Sequence, residues 1–508
     1  MRRGLVAMAA AAAAILVGGT ASAAQGAPML VSHGDPFAGC AAGAESGTNY
    51  PGAEVEPSLT EDLLGHTVVG AFQQDRWSDG GAKGLVAVAS ADGGRHFTET
   101  PLPFTVCAPG GLPYERASDP WLSTGPDGTV YASGLVFDVR DANNGVVAAV
   151  SHDGGRTWTH TTRLIDDTQI EFGDDKNSVT ADPVRPGTAY QVWDRLDTGP
   201  GNDGSRFLGP ALLAVTHDFG ASWSAPKVIV DTVANQQTIG NIVTVDPRTH
   251  TLYDVFDLIT YTDPSANTVV SANISIVRST DGGATWSAPR TVAPDTSITD
   301  VDPNTGAALR TANGIPEVAI DRLTGELYVA YEGTDFTAGA YDQAQLTHST
   351  DGGATWSAPV RVNGAPKAEA FTPSVAVALD GTVAVSYYDL RDLRPGNTTT
   401  LPTRAWLTTS PRGGERFGAE LALGPGFDLM QAPNAGGLFL GDYEGLVAGL
   451  DSVRTLFVAT NSGQPDNRTD VFTESLPVGD DAGAAPAADR GPVAAQAMRV
   501  GARSHLRR

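Results

Sequence analysis

The chain has 508 residues, with 58 acidic against 33 basic side chains and a formal charge of −25. Such a polyanion is repelled by nucleic acid and by anionic lipid, so neither a nucleic-acid nor a membrane partner is expected. Apolar residues make up 41%, enough for a large core, while two cysteines, Cys40 and Cys107, are too few for a disulfide scaffold.

In chain order, Arg2 and Arg3 precede an apolar run over 4–17, and Ala21-Ser22-Ala23 supplies a small-residue cleavage site. This predicts a secretory signal peptide over 1–23 and a secreted, extracellular protein. The run is too short to cross a bilayer, and no later stretch is apolar enough to do so. In an oxidising compartment Cys40 and Cys107 are free to pair, tying the N-terminal arm to the first repeats; two unrelated thiols are the alternative.

From residue 56 onward a hairpin pattern recurs: a strand starting near Pro or an acid, a turn, then an apolar strand ending in an acid, often with Arg. It runs from Glu56-Pro57 to Asp75-Arg76, Asp119-Pro120 to Asp138 and Arg140, Asn177 to Asp194-Arg195, and Asn241 to Asp257. Three further copies run from Pro316-Glu317 to Glu332, Pro373 to Asp389 and Arg391, and Asp442-Tyr443 to Asn461. Between hairpins stands a second motif, Ser/Thr-x-Asp-x-Gly-x-x-Trp/Phe. It starts at Ser90, Ser151, Thr216, Ser279 and Ser349, with a worn copy at Ser410 where Arg412 replaces the Asp. A hydroxyl and a carboxylate two residues apart hydrogen-bond their own turn, glycine takes φ > 0, and the aromatic re-enters the core. These turns are folding devices rather than site residues.

The motif resembles the Asp-box (BNR) repeat of sialidases and related β-propeller proteins. The fold class expected is all-β, a propeller with one four-stranded unit per copy. Seven hairpins against six boxes predict seven blades, with the six-bladed sialidase-type ring as the alternative. The last unit lacks a strand, which residues 29–32 would supply from the N-terminus, closing the ring. The propeller with its arm spans 24–478, and an Ala/Gly/Pro/Arg tail over 479–508 has too little bulky apolar content to pack.

The start of the first strand and the end of the second share one edge of a hairpin. The recurring acids and arginines therefore gather at one mouth, as an acid–arginine ring able to hold an acid–base pair and an anion clamp, or to stitch the blades with salt bridges. The sialidase resemblance assigns roles there. Tyr443, in Tyr443-Glu444-Gly445-Leu446, is similar to the nucleophilic tyrosine, and Glu317 to the glutamate that activates it. Arg76 matches one arginine of the carboxylate-binding triad and Arg391 a further one, whereas Val55 fills the place of the first. Expected catalytic residues are thus Tyr443, Glu317, Asp119 and Glu56, and expected substrate-binding residues Arg76, Asp75, Arg391, Arg195 and Asp442.

Asp300-Val301-Asp302-Pro303-Asn304-Thr305-Gly306 has the spacing of a calcium loop, but position twelve is Thr311 rather than Glu. An ordinary Asx turn is the simpler reading, so no cofactor is expected beyond a structural Ca2+. The acidic segment Phe172-Gly173-Asp174-Asp175-Lys176-Asn177 leads into a strand at the same mouth, as acid–base carboxylate or cation site. The function expected is a secreted, monomeric, sialidase-like glycoside hydrolase acting on an extracellular glycan or glycoconjugate. The alternative is a non-catalytic propeller that binds a glycan or protein.

Overall fold

Short runs of β-branched and small apolar residues, each stopped by a glycine turn, form paired strands at all seven hairpin positions. The structure, a computed structural model, describes residues 28–311, 313–450 and 452–477. The leader and the tail lie outside the described residues. Among those residues the only helical pieces are single 3-10 turns, Pro200–Asn202 and Leu429–Gln431.

The chain is an all-β propeller. Its strands fall into seven four-stranded antiparallel groups, whose first strands are Glu54–Glu61, Arg116–Thr124, Phe172–Ala181, Gln236–Val245, Glu317–Ile320, Ala370–Val377 and Gly445–Ala448. These first strands pack against one another in chain order, and the seventh packs against the first. Three strands of the seventh group come from the C-terminal end of the described chain. Its outer strand is Met29–Leu30, paired antiparallel with Thr469–Pro477 through Met29 opposite Thr473 and Leu30 opposite Phe472. A disulfide between Cys40 and Cys107 ties the arm that follows to the loop after the first group.

Apolar side chains fill the spaces between neighbouring sheets. Val69, Ala71 and Leu85 of the first group meet Leu122, Val130 and Ala132 of the second, and Val192 and Leu213 of the third meet Val243 and Phe256 of the fourth. The hydrophobic core is thus divided among the interfaces, and the polar ends of the first strands are left to meet near the middle of the ring.

Each Ser/Thr-x-Asp-x-Gly turn joins the third and fourth strands of its group. In the copy at Ser279 the buried hydroxyl accepts from Gly283 N–H at 2.9 Å and donates to Asp281 at 2.8 Å. The second glycine lies against the preceding group. A Cβ on Gly220 would stand 2.3 Å from Val150, and one on Gly283 would stand 2.9 Å from Leu213, at φ of 74° and 88°. The motif therefore joins one sheet to the one before it, and only glycine fits.

Ser279→Ala removes the acceptor of a buried N–H. The expected loss is about 1–2 kcal/mol, read as a lower urea midpoint. An unchanged midpoint would show that the hydroxyl contributes nothing to the turn.

Candidate active site

Five of the first strands carry the same irregularity at the same place. Glu56-Pro57, Asp119-Pro120, Lys176-Asn177, Gly240-Asn241 and Thr372-Pro373 each set two residues against one on the partner strand. The leading residue of each bulge is left-handed, with φ of 54°, 53°, 46°, 71° and 50°. A bulge re-aims a side chain and interrupts the ladder, which is why proline, lacking an N–H, is accepted at its second position. Glu56, Asp119 and Lys176 are non-glycine residues in a backbone region that costs of order 1–3 kcal/mol, a common mark of functional sites.

The bulges bring these three side chains together. Lys176 Nζ lies 2.6 Å from Asp442, 3.4 Å from Asp119 and 3.5 Å from Glu56, drawing on the third, seventh, second and first groups. Arg310 closes the other side of Asp442 with two hydrogen bonds, Nη2 at 2.6 Å and Nε at 3.1 Å. It arrives on a two-residue strand, Leu309–Arg310, paired in parallel with Leu438–Phe439, and its guanidinium stacks 4.4 Å from the centre of the Phe439 ring. Arg76 shares that ring at 5.0 Å; it donates to Gln73 at 2.8 Å, and its Nε is buried without a partner. Gln73 in turn donates to Glu56 and, at 3.1 Å, to Ser118, whose hydroxyl donates to Asp119 at 2.6 Å.

Opposite protonation states follow from these contacts. Burial would raise the Asp442 carboxyl, but Arg310 and then Lys176 outweigh it and hold it well below the ordinary range. Asp119 is likewise held low against burial, by Lys176 and by the Ser118 hydroxyl. Glu56, fully buried, is pushed up to about 8, chiefly by desolvation, with Lys176 opposing and Asp119 and Asp442 adding to the rise. Lys176 is kept charged by its acids despite burial. Near neutral pH the hub therefore holds a protonated Glu56 beside two carboxylates.

Tyr443 and Glu317 border this hub. The Tyr443 hydroxyl donates to Pro120 C=O at 2.8 Å and its ring meets Trp121 edge-on at 5.0 Å. Burial, then Glu56, Asp119, Asp442 and Glu317, push the phenol well above its usual pKa. That is the reverse of what an attacking phenolate requires. Burial pushes Glu317 to about 8. Of this set, Arg310, Glu317 and Asp175, the neighbour of Lys176, keep exposed surface.

The single acid–arginine ring expected from the sequence resolves into separate ion pairs. Asp75, left-handed at φ 63°, turns to Lys83 at 2.7 Å and to the Gly52 N–H. Arg195 is bidentate to Asp167 and lies over Phe172, and Arg391 pairs with Asp389 and Glu420 above Trp406. None of these partners belongs to the hub. The structure brings Glu56, Asp119, Asp442 and Arg76 together; Lys176 comes from the acidic segment Phe172-Gly173-Asp174-Asp175-Lys176-Asn177, and no sequence motif points to Arg310.

No family model matches the chain, and no curated protein matches it. Among solved structures, a protein of unknown function from Dyadobacter fermentans is similar at 17% identity and TM-score 0.43, over 84% of this chain and 96% of that one. An α-L-arabinanase of Penicillium chrysogenum complexed with arabinobiose is similar at 13% and 0.42, over 84% and 97%. The NanB sialidase of Streptococcus pneumoniae is similar at 13% and 0.43, over 89% and 70%. Similarity this low bears on fold alone.

The Glu317 pKa makes stability depend on pH. In the unfolded chain the carboxyl titrates near its ordinary 4.5, in the folded protein near 8. Below the lower value both states are neutral. Between the two the unfolded chain loses its proton while the folded one keeps it, so stability falls as pH rises. Glu317→Gln is expected to match the parent in urea unfolding at pH 4 and to exceed it at pH 8. Equal pH profiles would assign the dependence to other groups.

Proposed function

We propose that the protein is an extracellular glycoside hydrolase, monomeric, with its reaction centre at the Lys176 hub. We read its turns as Asp-box repeats and its ring as seven blades, supported by the closed succession of first strands. The observation that carries the functional reading is the protonated Glu56 beside the ionised Asp119. Both lie within 3.5 Å of one ammonium, so the two carboxyl groups are no more than about 7 Å apart, below the upper limit of about 10 Å that glycosidase acid pairs span. Glu56 donates its proton to the leaving glycosidic oxygen. Asp119, whose Oδ2 is buried without a hydrogen bond, adds to the anomeric carbon or takes a proton from the attacking water. Lys176 and Arg310 keep the carboxylates ionised, and the Trp121–Tyr443 pair forms the aromatic wall. Tyr443 is a wall residue in this reading, not the nucleophile that the sialidase resemblance implies.

A second reading, a non-catalytic propeller that binds a glycan or protein, is favoured by one observation. Glu56, Asp119, Lys176 and Asp442 are each less than a tenth exposed, and Lys176 is already ion-paired with Asp119 and Asp442.

Hydrolysis assays on the purified protein against a glycan panel with a sialic-acid reporter separate the two. Turnover of at least one glycan is expected, with Glu56→Gln lowering kcat by about 10²–10⁴-fold while KM changes little. Binding to a panel glycan without turnover of any would favour the second reading. Independently of substrate, Lys176→Met leaves Asp442 and Asp119 short of a buried partner. It is expected to cost about 3–5 kcal/mol of stability, and a neutral result would show that the hub is not a tie between groups.

A further inference from the structure

One residue beyond Arg310 the same segment enters a second cluster. The Thr311 hydroxyl lies 3.0 Å from both Asp300 Oδ2 and Glu332 Oε2, with its one hydrogen to donate to either. Glu332 also accepts from Asn313 N–H at 3.1 Å and from Thr372 N–H, the bulge residue of the sixth group, at 2.6 Å. Asp342 Oδ2 accepts from Ile298 N–H at 3.0 Å. Asp300, Glu332 and Asp342 are each at most 1% exposed and each offers one carboxylate oxygen, all within 4.8 Å of one another.

The cluster has a second feature that crowding alone does not explain. Asp300 Oδ1 and Asp342 Oδ1 are fully buried and take no hydrogen bond from an N–H or hydroxyl, although the Glu369 carboxyl lies within hydrogen-bonding reach of Asp300. Among the described residues no lysine, arginine or histidine forms an ion pair with Asp300 or Asp342, and the strongest charges acting on them are Glu369, Glu332 and Asp295, all acids. Buried carboxylate oxygens without donors need a cation or a proton. Backbone N–H groups hold Asp342 Oδ2 and both oxygens of Glu332, fixing the carboxylates as outer-shell donors fix metal ligands.

We propose that Asp300, Glu332 and Asp342 form a site for a calcium ion, with the Thr311 hydroxyl oxygen as a neighbouring ligand. Oxygens around one Ca2+ stand about 2.3–2.6 Å from it and so up to about 5 Å apart, which the cluster satisfies. Mg2+ retains several of its own waters, for which a fully buried set of carboxylates leaves little room. The loop spacing noticed in the sequence contributes only its first residue and its twelfth, Thr311. Asp302 instead closes its own turn onto Asn304 N–H and the Thr305 hydroxyl. The ion joins the irregular segment before the fifth group to the second strand of that group, Leu327–Gly333, and to the residue just before its third strand, Gln343–Ser349, and so fixes the segment that delivers Arg310.

The test uses the full chain stripped with EDTA. Calorimetric titration with CaCl2 is expected to show one site per chain, with MgCl2 binding at least tenfold more weakly. Millimolar Ca2+ is expected to raise Tm by a few degrees over EDTA. The double variant Asp300→Asn with Asp342→Asn is expected to lose both the heat and the shift, while in EDTA it melts no lower than the parent, because two repelling carboxyls are gone. The proposal fails if the parent shows neither heat nor shift, or if the double variant keeps them. Lower stability of the double variant in EDTA also counts against it, since the acids would then be protonated partners of one another.

Discussion

The contact between Lys176 and Asp442 is the constraint around which the molecule is arranged. A propeller divides its hydrophobic surface among sheet-to-sheet interfaces, and no apolar core remains to hold the middle. At that middle an ammonium from the third group meets carboxyl groups from the first, second and seventh. In a buried setting such a tie is strong if complete and costly if broken, because any charge left alone has lost its water. The bulges are the means. Without one at Glu56, Asp119 and Lys176, period-two alternation would set the side chain along a sheet face instead of aiming it inward.

The same geometry separates the protonation states. One cation between three acids cannot neutralise all of them, so the acid with least competing solvation keeps its proton. Asp442 has two cations, Asp119 an ammonium and a hydroxyl, and Glu56 mainly amide donors. The order of their proton affinities follows that order of partners.

Much of the fold was legible because it repeats. Alternating hydrophobicity and the glycine turns marked all seven hairpins, but Glu56-Pro57 and Asp119-Pro120 read as strand starts, whereas the strands begin at Glu54 and Arg116 and these pairs form bulges within them. Lys176 was visible but stood in a run of acids, where charge type does not tell which side chain turns inward. Arg310 left no signal, because a two-residue parallel pairing reached through a long irregular segment has no periodicity to read. Asp75, Arg195 and Arg391 were placed at the mouth by their position at strand ends. Position along a strand gives the edge, not the face, and a neighbouring opposite charge captured each of them first.

The outer strand Met29–Leu30 bears on how the protein is made. Its partner, Thr469–Pro477, is the last strand of the described chain, so this pairing spans nearly the whole polypeptide. Loop-closure entropy makes such a contact the slowest kind to form. A chain that emerges N-terminus first keeps its opening strand unpaired until the final sheet exists, and that sheet meanwhile shows an open edge to other chains. Ring closure is then the late, concentration-sensitive step of biogenesis, and loss of Met29 and Leu30 would harm yield more than it harms any chemistry at the centre.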